Sequence, residues 1–372
     1  MRILAVDVGT GTQDILLFDS ERELENDYKL VMPSPTVVVA QRIREATRQR
    51  LPLVLRGVTM GGGPSHWAAM DHVRAGLPVY ATPEAAQTFD DDLDAVRAMG
   101  IQVVSEDEAE RVPGAAVVTL RDFWLEEILS ALRLFGVGPE LDRIAVAVFD
   151  HGAAPPGYSD RVFRFDFLKE RLAAWESLAA FAFRREEIPA RLTRLQSVAE
   201  TVPATYPLLL MDTAPAAVLG ALEDPRVGRR DEAIVVNVGN FHCLAFDLRG
   251  GHIAGLFEHH TGEVSPAQLE TLIRRLGGGV LTNDEVFGTK GHGAVVFEGA
   301  RRNGHLPLVA VVGPRRAMLR QTQLSVYEAV PHGDMMLAGC FGLLRAYAAL
   351  DDQVRDAVER RMGPAPSPVA TL

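Results

Sequence analysis

Cysteine is nearly missing from this chain. Its 372 residues contain two, Cys243 and Cys340, far apart in sequence. Two cysteines build neither a disulfide framework nor a four-cysteine zinc or iron–sulfur site within one chain, and both sit in apolar surroundings that suit a small buried side chain. Long basic runs are missing too. Lys and Arg occur in short pairs such as Arg229-Arg230 and Arg301-Arg302, and the net charge is −11, so no affinity for nucleic acid or an anionic membrane is expected. No apolar run reaches the roughly 20 residues of a membrane span. No HExxH or CxxC spacing occurs. The N-terminus enters an apolar strand at once, without the basic and apolar segments of a leader, so a cytoplasmic protein is expected. What remains, 47% hydrophobic and 23% charged residues, is the composition expected of an ordinary soluble globular protein long enough for two domains.

The most informative stretch is Leu4 to Asp19, LAVDVGTGTQDILLFD. An apolar strand ends in Asp7, a Gly/Thr turn follows, and a second apolar strand closes a hairpin. Gly9 and Gly11 let the backbone approach an anion, turn N–H groups can form a nest, and Thr10 and Thr12 add hydroxyl donors. Asp7 at the strand end is placed to hold Mg²⁺ directly or through water. The alternative is an ordinary hairpin with a Gly-rich turn. With the phosphate reading, the hairpin resembles the first phosphate loop of the actin-like ATPase superfamily, which includes sugar kinases, Hsp70-type chaperones and actin.

The opening pattern returns past the middle of the chain. Strands are expected at about 2–8, 13–19 and 26–32, then a helix at 36–49 and a strand at 53–58. AIVVNVGNFHCLAFDL (233–248) again reads strand, turn, strand, and residues 250–260 supply a third strand. Between these repeats, strands at 101–104, 115–120 and 144–149 alternate with helices at 91–99 and 121–135. Residues 166–200 read as helical, 201–207 as a crossover and 211–224 as a helix. Later elements are a helix at 265–276, strands at 294–298 and 306–313, and a helix at 335–350. The expected division is 1–205, 206–350 and a tail, 351–372, whose Pro-rich end (363–372) reads as disordered.

Further candidates follow from local chemistry. Asn237, Gly239 and Asn240 form the second hairpin turn, with an amide where the first has Asp7. Gly61-Gly62-Gly63 precedes a helix and suits either a substrate contact or a tight strand-to-helix turn. Asp150 ends an apolar strand, where open α/β sheets face their ligands, and is the first candidate for a general base; Asp212 is the second. Capping of a turn is the plain alternative for Asp150. Gly333 lies in a turn before the last helix that suits an adenosine contact or an ordinary helix start. His151, His252, His259, His260, His292 and His332 sit beside glycine or another histidine in turn-like segments. Of these, His151, His259 and His260 are candidate polar contacts to substrate, and a zinc or iron site is the competing use. Neighbouring His259 and His260 on one strand point to opposite faces, so both cannot serve one ion.

Taken together, VDVGTGTQDILLFD, TMGGGP, FDHG, MDTAPAA, NVGNFH, FEHHTG and GHGAVVFEG resemble an uncharacterised prokaryotic family of the actin-like ATPase superfamily, some of whose members are labelled pyruvate formate-lyase activating proteins. The resemblance spans most of residues 1–348. It implies two ribonuclease H-like α/β domains around an interdomain nucleotide cleft, with ATP and Mg²⁺ as cofactors. Expected from it is a phosphotransferase or ATPase acting on a small polar metabolite. A nucleotide-dependent switch without turnover and a metal-dependent hydrolase using the histidine-rich loops are the alternatives. Segments 78–140 and 160–205 are the expected insertions carrying specificity. Partners are a nucleotide and a small molecule, and the oligomeric state is open. The activating-enzyme label fails on chemistry: a radical S-adenosylmethionine cluster needs three closely spaced cysteines, and the chain has two.

Overall fold

A computed structural model of the chain describes residues 1–138, 140–155, 157–174, 177–302 and 304–366. The last six residues of the expected disordered end, 367–372, lie outside the described residues. Among the described residues, sixteen strands form three sheets. In chain order they are β1 (Arg2–Val8), β2 (Thr12–Asp19), β3 (Tyr28–Pro33), β4 (Leu53–Gly57), β5 (Val79–Ala81), β6 (Ile101–Val103), β7 (Ala116–Leu120), β8 (Arg143–Val148), β9 (Ala182–Arg184), β10 (Leu208–Asp212), β11 (Glu232–Val238), β12 (His242–Arg249), β13 (His252–His260), β14 (Gly293–Val296), β15 (Leu308–Val312) and β16 (Val326–Glu328).

The first large sheet runs β3-β2-β1-β8-β10-β9 and the second β14-β13-β12-β11-β15-β16. Both are built around one five-strand order. Three antiparallel strands (β3-β2-β1, β13-β12-β11) continue into two parallel ones (β8-β10, β15-β16). This is the duplicated ribonuclease H-like arrangement of actin-like ATPases, and the duplication reaches individual bonds. The Gly9 N–H donates to the Thr12 carbonyl and the Gly239 N–H to the His242 carbonyl, each at 2.9 Å. After the third strand, Ser34 N–H donates to the Gly11 carbonyl, as Thr261 N–H does to that of Phe241.

Strand alternation sorts the apolar side chains. On β1, Ile3 and Ala5 face a core shared with the second sheet, and Leu4 and Val6 face an outer layer. Val235 and Ile234 on β11 divide in the same way. Two helices fill the shared core, Thr213–Ala221 and Ala338–Leu350, and they cross at glycines. A Cβ on Gly220 would collide with the Ala338 carbonyl, and one on Gly342 with that of Ala216. The Ala338–Leu350 helix lies against β1, β2 and β8, so the chain returns to the first sheet after building the second.

Several sequence expectations shift. The third sheet, β6-β5-β4-β7, is a separate parallel lobe with its own core. It spans 53–120, so the inserted layer begins upstream of the expected 78–140. The segment 166–200 is not one helical run: helices Asp160–Ala174 and Thr193–Thr201 flank strand β9. The expected crossover and helix near 211 hide β10, a strand of five buried residues, and the helix starts only at Thr213. The first sheet therefore extends past residue 205. In the C-terminal segment, Asp352–Met362 is a helix that buries Val354 and Val358 in the shared core.

Candidate functional site

The two hairpin tips meet. The Asn240 side chain lies over Gly11, where any Cβ would strike its amide nitrogen. Behind the tips, Asp7 and Asp14 stand opposite each other on β1 and β2, on the face turned toward the Ala338–Leu350 helix. Both are buried, at 8% exposure each. The Thr213 hydroxyl donates to Asp7 Oδ1 at 2.5 Å, and Gly339 packs against the Asp7 carboxyl where no side chain would fit. Asp14 Oδ1 is buried with no hydrogen-bond partner. Burial raises Asp7 to about 7 despite the Thr213 bond, with Asp212 adding to the rise. Burial and the charges of Asp7 and Asp334 raise Asp14 to about 8. In the second half the corresponding pair is Asn237 and Leu244, so the acidic pocket belongs to the first half alone. Asp14 was not among the sequence candidates, because its neighbours read as ordinary strand.

A cavity of about 810 Å³ opens on the other side of the tips. Thr10, Gly61, Gly62, Gly63, Asp150, His151, Phe241 and His242 line it, together with Asp90, Asp91 and Asp92 from the inserted lobe. The Gly61–Gly63 run thus does face the cavity, though the Gly61 N–H already donates to the Asp122 carboxylate at 3.2 Å. Gly63 has φ 64 and forms the N-cap of the Pro64–Arg74 helix, so the strand-to-helix turn has a backbone reason for glycine as well. Arg194 joins the lobes: it donates to Asp122 at 2.6 and 2.9 Å and to the Phe149 carbonyl.

Other candidates are placed elsewhere or already engaged. The Gly9 and Gly239 N–H groups donate inside their own turns, so neither points outward as an anion nest would need. Asp150 accepts from the Gly152 and Leu195 N–H groups at 2.8 Å each, one per oxygen. Asp212 caps the Thr213–Ala221 helix through Ala214 N–H and pairs with Arg164 at 2.7 Å. Each oxygen of both carboxyls thus already holds one partner, and Asp150 also has the capping contact that its plain alternative predicted. Gly333 lies in an exposed turn outside the cavity lining. His259 is buried on the opposite face from His260, with its ring nitrogens at the His260 carbonyl and the Thr289 hydroxyl, so it contacts no part of the cavity.

Asp91 is the cavity carboxyl whose chemistry stands out. Desolvation in the recess, then the charges of Asp160, Asp90 and Asp150, push it up to about 6, while its side chain still reaches solvent. In sequence it is hidden within an acidic run that reads as a solvated turn. Deeper in the wall, Arg164 is almost fully buried, bonded to Asp212 and to Glu258 at 2.7 and 2.8 Å. It lies on the charged Asp160–Ala174 helix, whose composition gives no sign of a buried guanidinium.

Comparison with solved structures gives distant likenesses. The ethanolamine utilization protein EutJ from Carboxydothermus hydrogenoformans is 12% identical, covering 92% of this chain and 89% of that one, with a TM-score of 0.33. ROK hexokinase from Thermus thermophilus is 15% identical over 95% of this chain and 100% of its own, TM-score 0.31. A Ppx/GppA protein from Aquifex aeolicus is 8% identical over 84% and 66%, TM-score 0.28. No curated protein matches the chain. The family described as "Putative pyruvate format-lyase activating enzyme (DUF1786)" matches residues 60–318, more than two thirds of the chain, and the chain belongs to it.

Proposed function

We propose that the chain is a phosphotransferase or phosphohydrolase that holds a nucleotide phosphate and Mg²⁺ at the paired hairpin tips and acts on a small polar molecule in the adjoining cavity. The observation that carries this reading is the buried Asp7–Asp14 pair with its unpartnered Asp14 Oδ1. Burial raises both carboxyls, and the Asp7 charge adds to the rise at Asp14. A small divalent cation bound by carboxylate oxygens fits that donor set. Mg²⁺ would supply neutralisation of phosphate charge. Thr10, Thr12 and Asn240, at the tips, are the donors placed to orient an anion beside it.

Asp91 replaces Asp150 and Asp212 as the proposed base. It faces the cavity, and a raised carboxyl takes a proton from a substrate hydroxyl with less mismatch than an ordinary one. The cavity volume is in the range of small-molecule sites. Radical chemistry of the kind in the family description is not part of this reading, because the three clustered thiolates it requires are missing from the sequence.

The test is calorimetry of Mg²⁺-dependent ATP binding by the wild type and by Asp7→Ala, followed by phosphate release across pH. Expected is Mg²⁺-dependent binding that Asp7→Ala removes, and turnover that rises through about pH 6 and is lost in Asp91→Asn with binding kept. Absence of binding by the wild type would overturn the reading. A nucleotide-dependent switch is the second reading, favoured by Asn237 and Leu244 standing where the first half has its two carboxyls. Binding with no turnover at any pH would select it.

A further inference from the structure

Three histidines from distant segments converge at the rear of the cavity. His151 follows β8, His242 opens β12 and His292 precedes β14. One ring nitrogen of each lies within 4.8 Å of the others. His151 Nε2 and His292 Nε2 are 3.3 Å apart. Two nitrogens about 2.0–2.1 Å from one tetrahedral ion are separated by about 3.3–3.4 Å, so this spacing already matches an edge of a zinc coordination tetrahedron.

The surroundings restrict the rings. Phe149 stacks on His242 at 4.0 Å between centroids and 6° between planes. His242 Nε2 is buried with no hydrogen-bond partner. His292 turns its Nδ1 to Glu258 Oε1 at 3.3 Å, and both atoms are otherwise unpartnered. The Glu258 carboxyl is held in turn by Arg164, and Arg164 by Asp212. Metal-binding histidines characteristically direct their second nitrogen at a carboxylate, which fixes the ring and leaves the first nitrogen for the ion. Here that outer pair leaves His292 Nε2 facing His151.

The two nearby guanidinium groups are each matched by carboxylates: Arg164 pairs with Asp212 and Glu258, and Arg194 with Asp122.

We propose that His151, His242 and His292 form a binding site for one divalent transition ion of the zinc class, with Glu258 orienting His292. His151 and His242 line the cavity, so the fourth coordination position opens toward it and would take an oxygen ligand such as water, a carboxylate or a phosphate group. Three protein ligands and one open position is the pattern of reactive zinc sites. The two cysteines take no part: Cys243 faces the outer core of the second sheet and Cys340 the shared core. The site is independent of the nucleotide reading, since Asp7 and Asp14 lie behind the hairpin tips.

The experiment uses the full chain after chelator treatment and dialysis. Zn²⁺ is titrated by calorimetry, and Co²⁺ is added to read its visible spectrum. Expected are one Zn²⁺ per chain and cobalt bands of a four-coordinate nitrogen–oxygen site without a thiolate charge-transfer band. The His151→Ala/His242→Ala double variant should lose both, and Glu258→Gln should weaken Zn²⁺ binding about 10–100-fold. Asp7→Ala should bind Zn²⁺ as the wild type does, which separates this site from the nucleotide reading. No stoichiometric Zn²⁺ uptake by the wild type would overturn the proposal and leave a direct imidazole–imidazole hydrogen bond as the reason for the 3.3 Å spacing. Uptake surviving the double variant, or a thiolate band with cobalt, would overturn it equally. If substitution of His242 prevents folding, judged by circular dichroism, the wild-type cobalt spectrum and His151→Ala at the cavity edge decide.

Discussion

Asp27 shows how one buried carboxyl sets a pH dependence. It is 7% exposed; Oδ1 accepts the Asp19 N–H at 3.1 Å and Oδ2 has no partner. Burial, opposed by that hydrogen bond, and then the Asp19 charge raise it from 3.8 to about 7, with Lys29 and Arg22 pulling the other way. The folded chain therefore holds this proton more tightly than the unfolded chain. Its contribution to stability falls as pH rises from about 4 to about 7 and is flat above. Asp27→Asn keeps the acceptor oxygen and removes the titration. Denaturant melts at pH 5 and pH 8 should show the variant gaining stability over the wild type at pH 8 and much less at pH 5; equal differences at both would refute the assignment. Such burial is not legible in sequence. Asp27 sits in a polar turn beside Glu25 and Asn26, and Arg164 sits in a charged helix, yet tertiary packing encloses both.

At the scale of elements, the hairpins were legible because alternation and Gly/Thr turns are local signals. The Pro35–Arg48 helix was legible from Ser34 and Pro35, which cap its start. β10 was not, since LLLMD runs directly into a helical sequence and short apolar runs do not declare their period. The crossing of Thr213–Ala221 with Ala338–Leu350 gives a prediction whose sign is diagnostic. Gly342→Ala in an unpacked helix would stabilise by about 0.5–1 kcal/mol. Here the new methyl meets the Ala216 carbonyl, so the expected result is destabilisation by about 1–3 kcal/mol. Urea denaturation reads the difference, and a stabilised Gly342→Ala chain would mean that the helices do not touch there.

Across the whole molecule, three lobes converge on one cavity, and Arg194 connects two of them. It ties Asp122 of the inserted layer to the end of β8 through the Phe149 carbonyl. Arg194→Ala leaves the buried Asp122 carboxylate with only the Gly61 N–H. Breaking a buried pair on one side costs about 3–5 kcal/mol. The expected outcome is faster amide hydrogen exchange across 59–65 and 120–124, with β11–β13 unchanged. Uniform loss of protection would instead make Arg194 a residue of global stability.

By itself the sequence determined the duplicated strand–turn–strand pattern, the family, and the hairpin and loop segments that contribute to the cavity. These follow from periodicities and turn residues that act over a few positions. Only the tertiary structure decided which side chains in those segments are available. It engaged Asp150 and Asp212 in caps and an ion pair, turned His259 away from the cavity, and exposed Asp91. It also brought one ring nitrogen each of His151, His242 and His292 within 4.8 Å of one another. The reason is that contacts between residues 50 to 141 positions apart depend on how the sheets pack, and no local pattern records that packing.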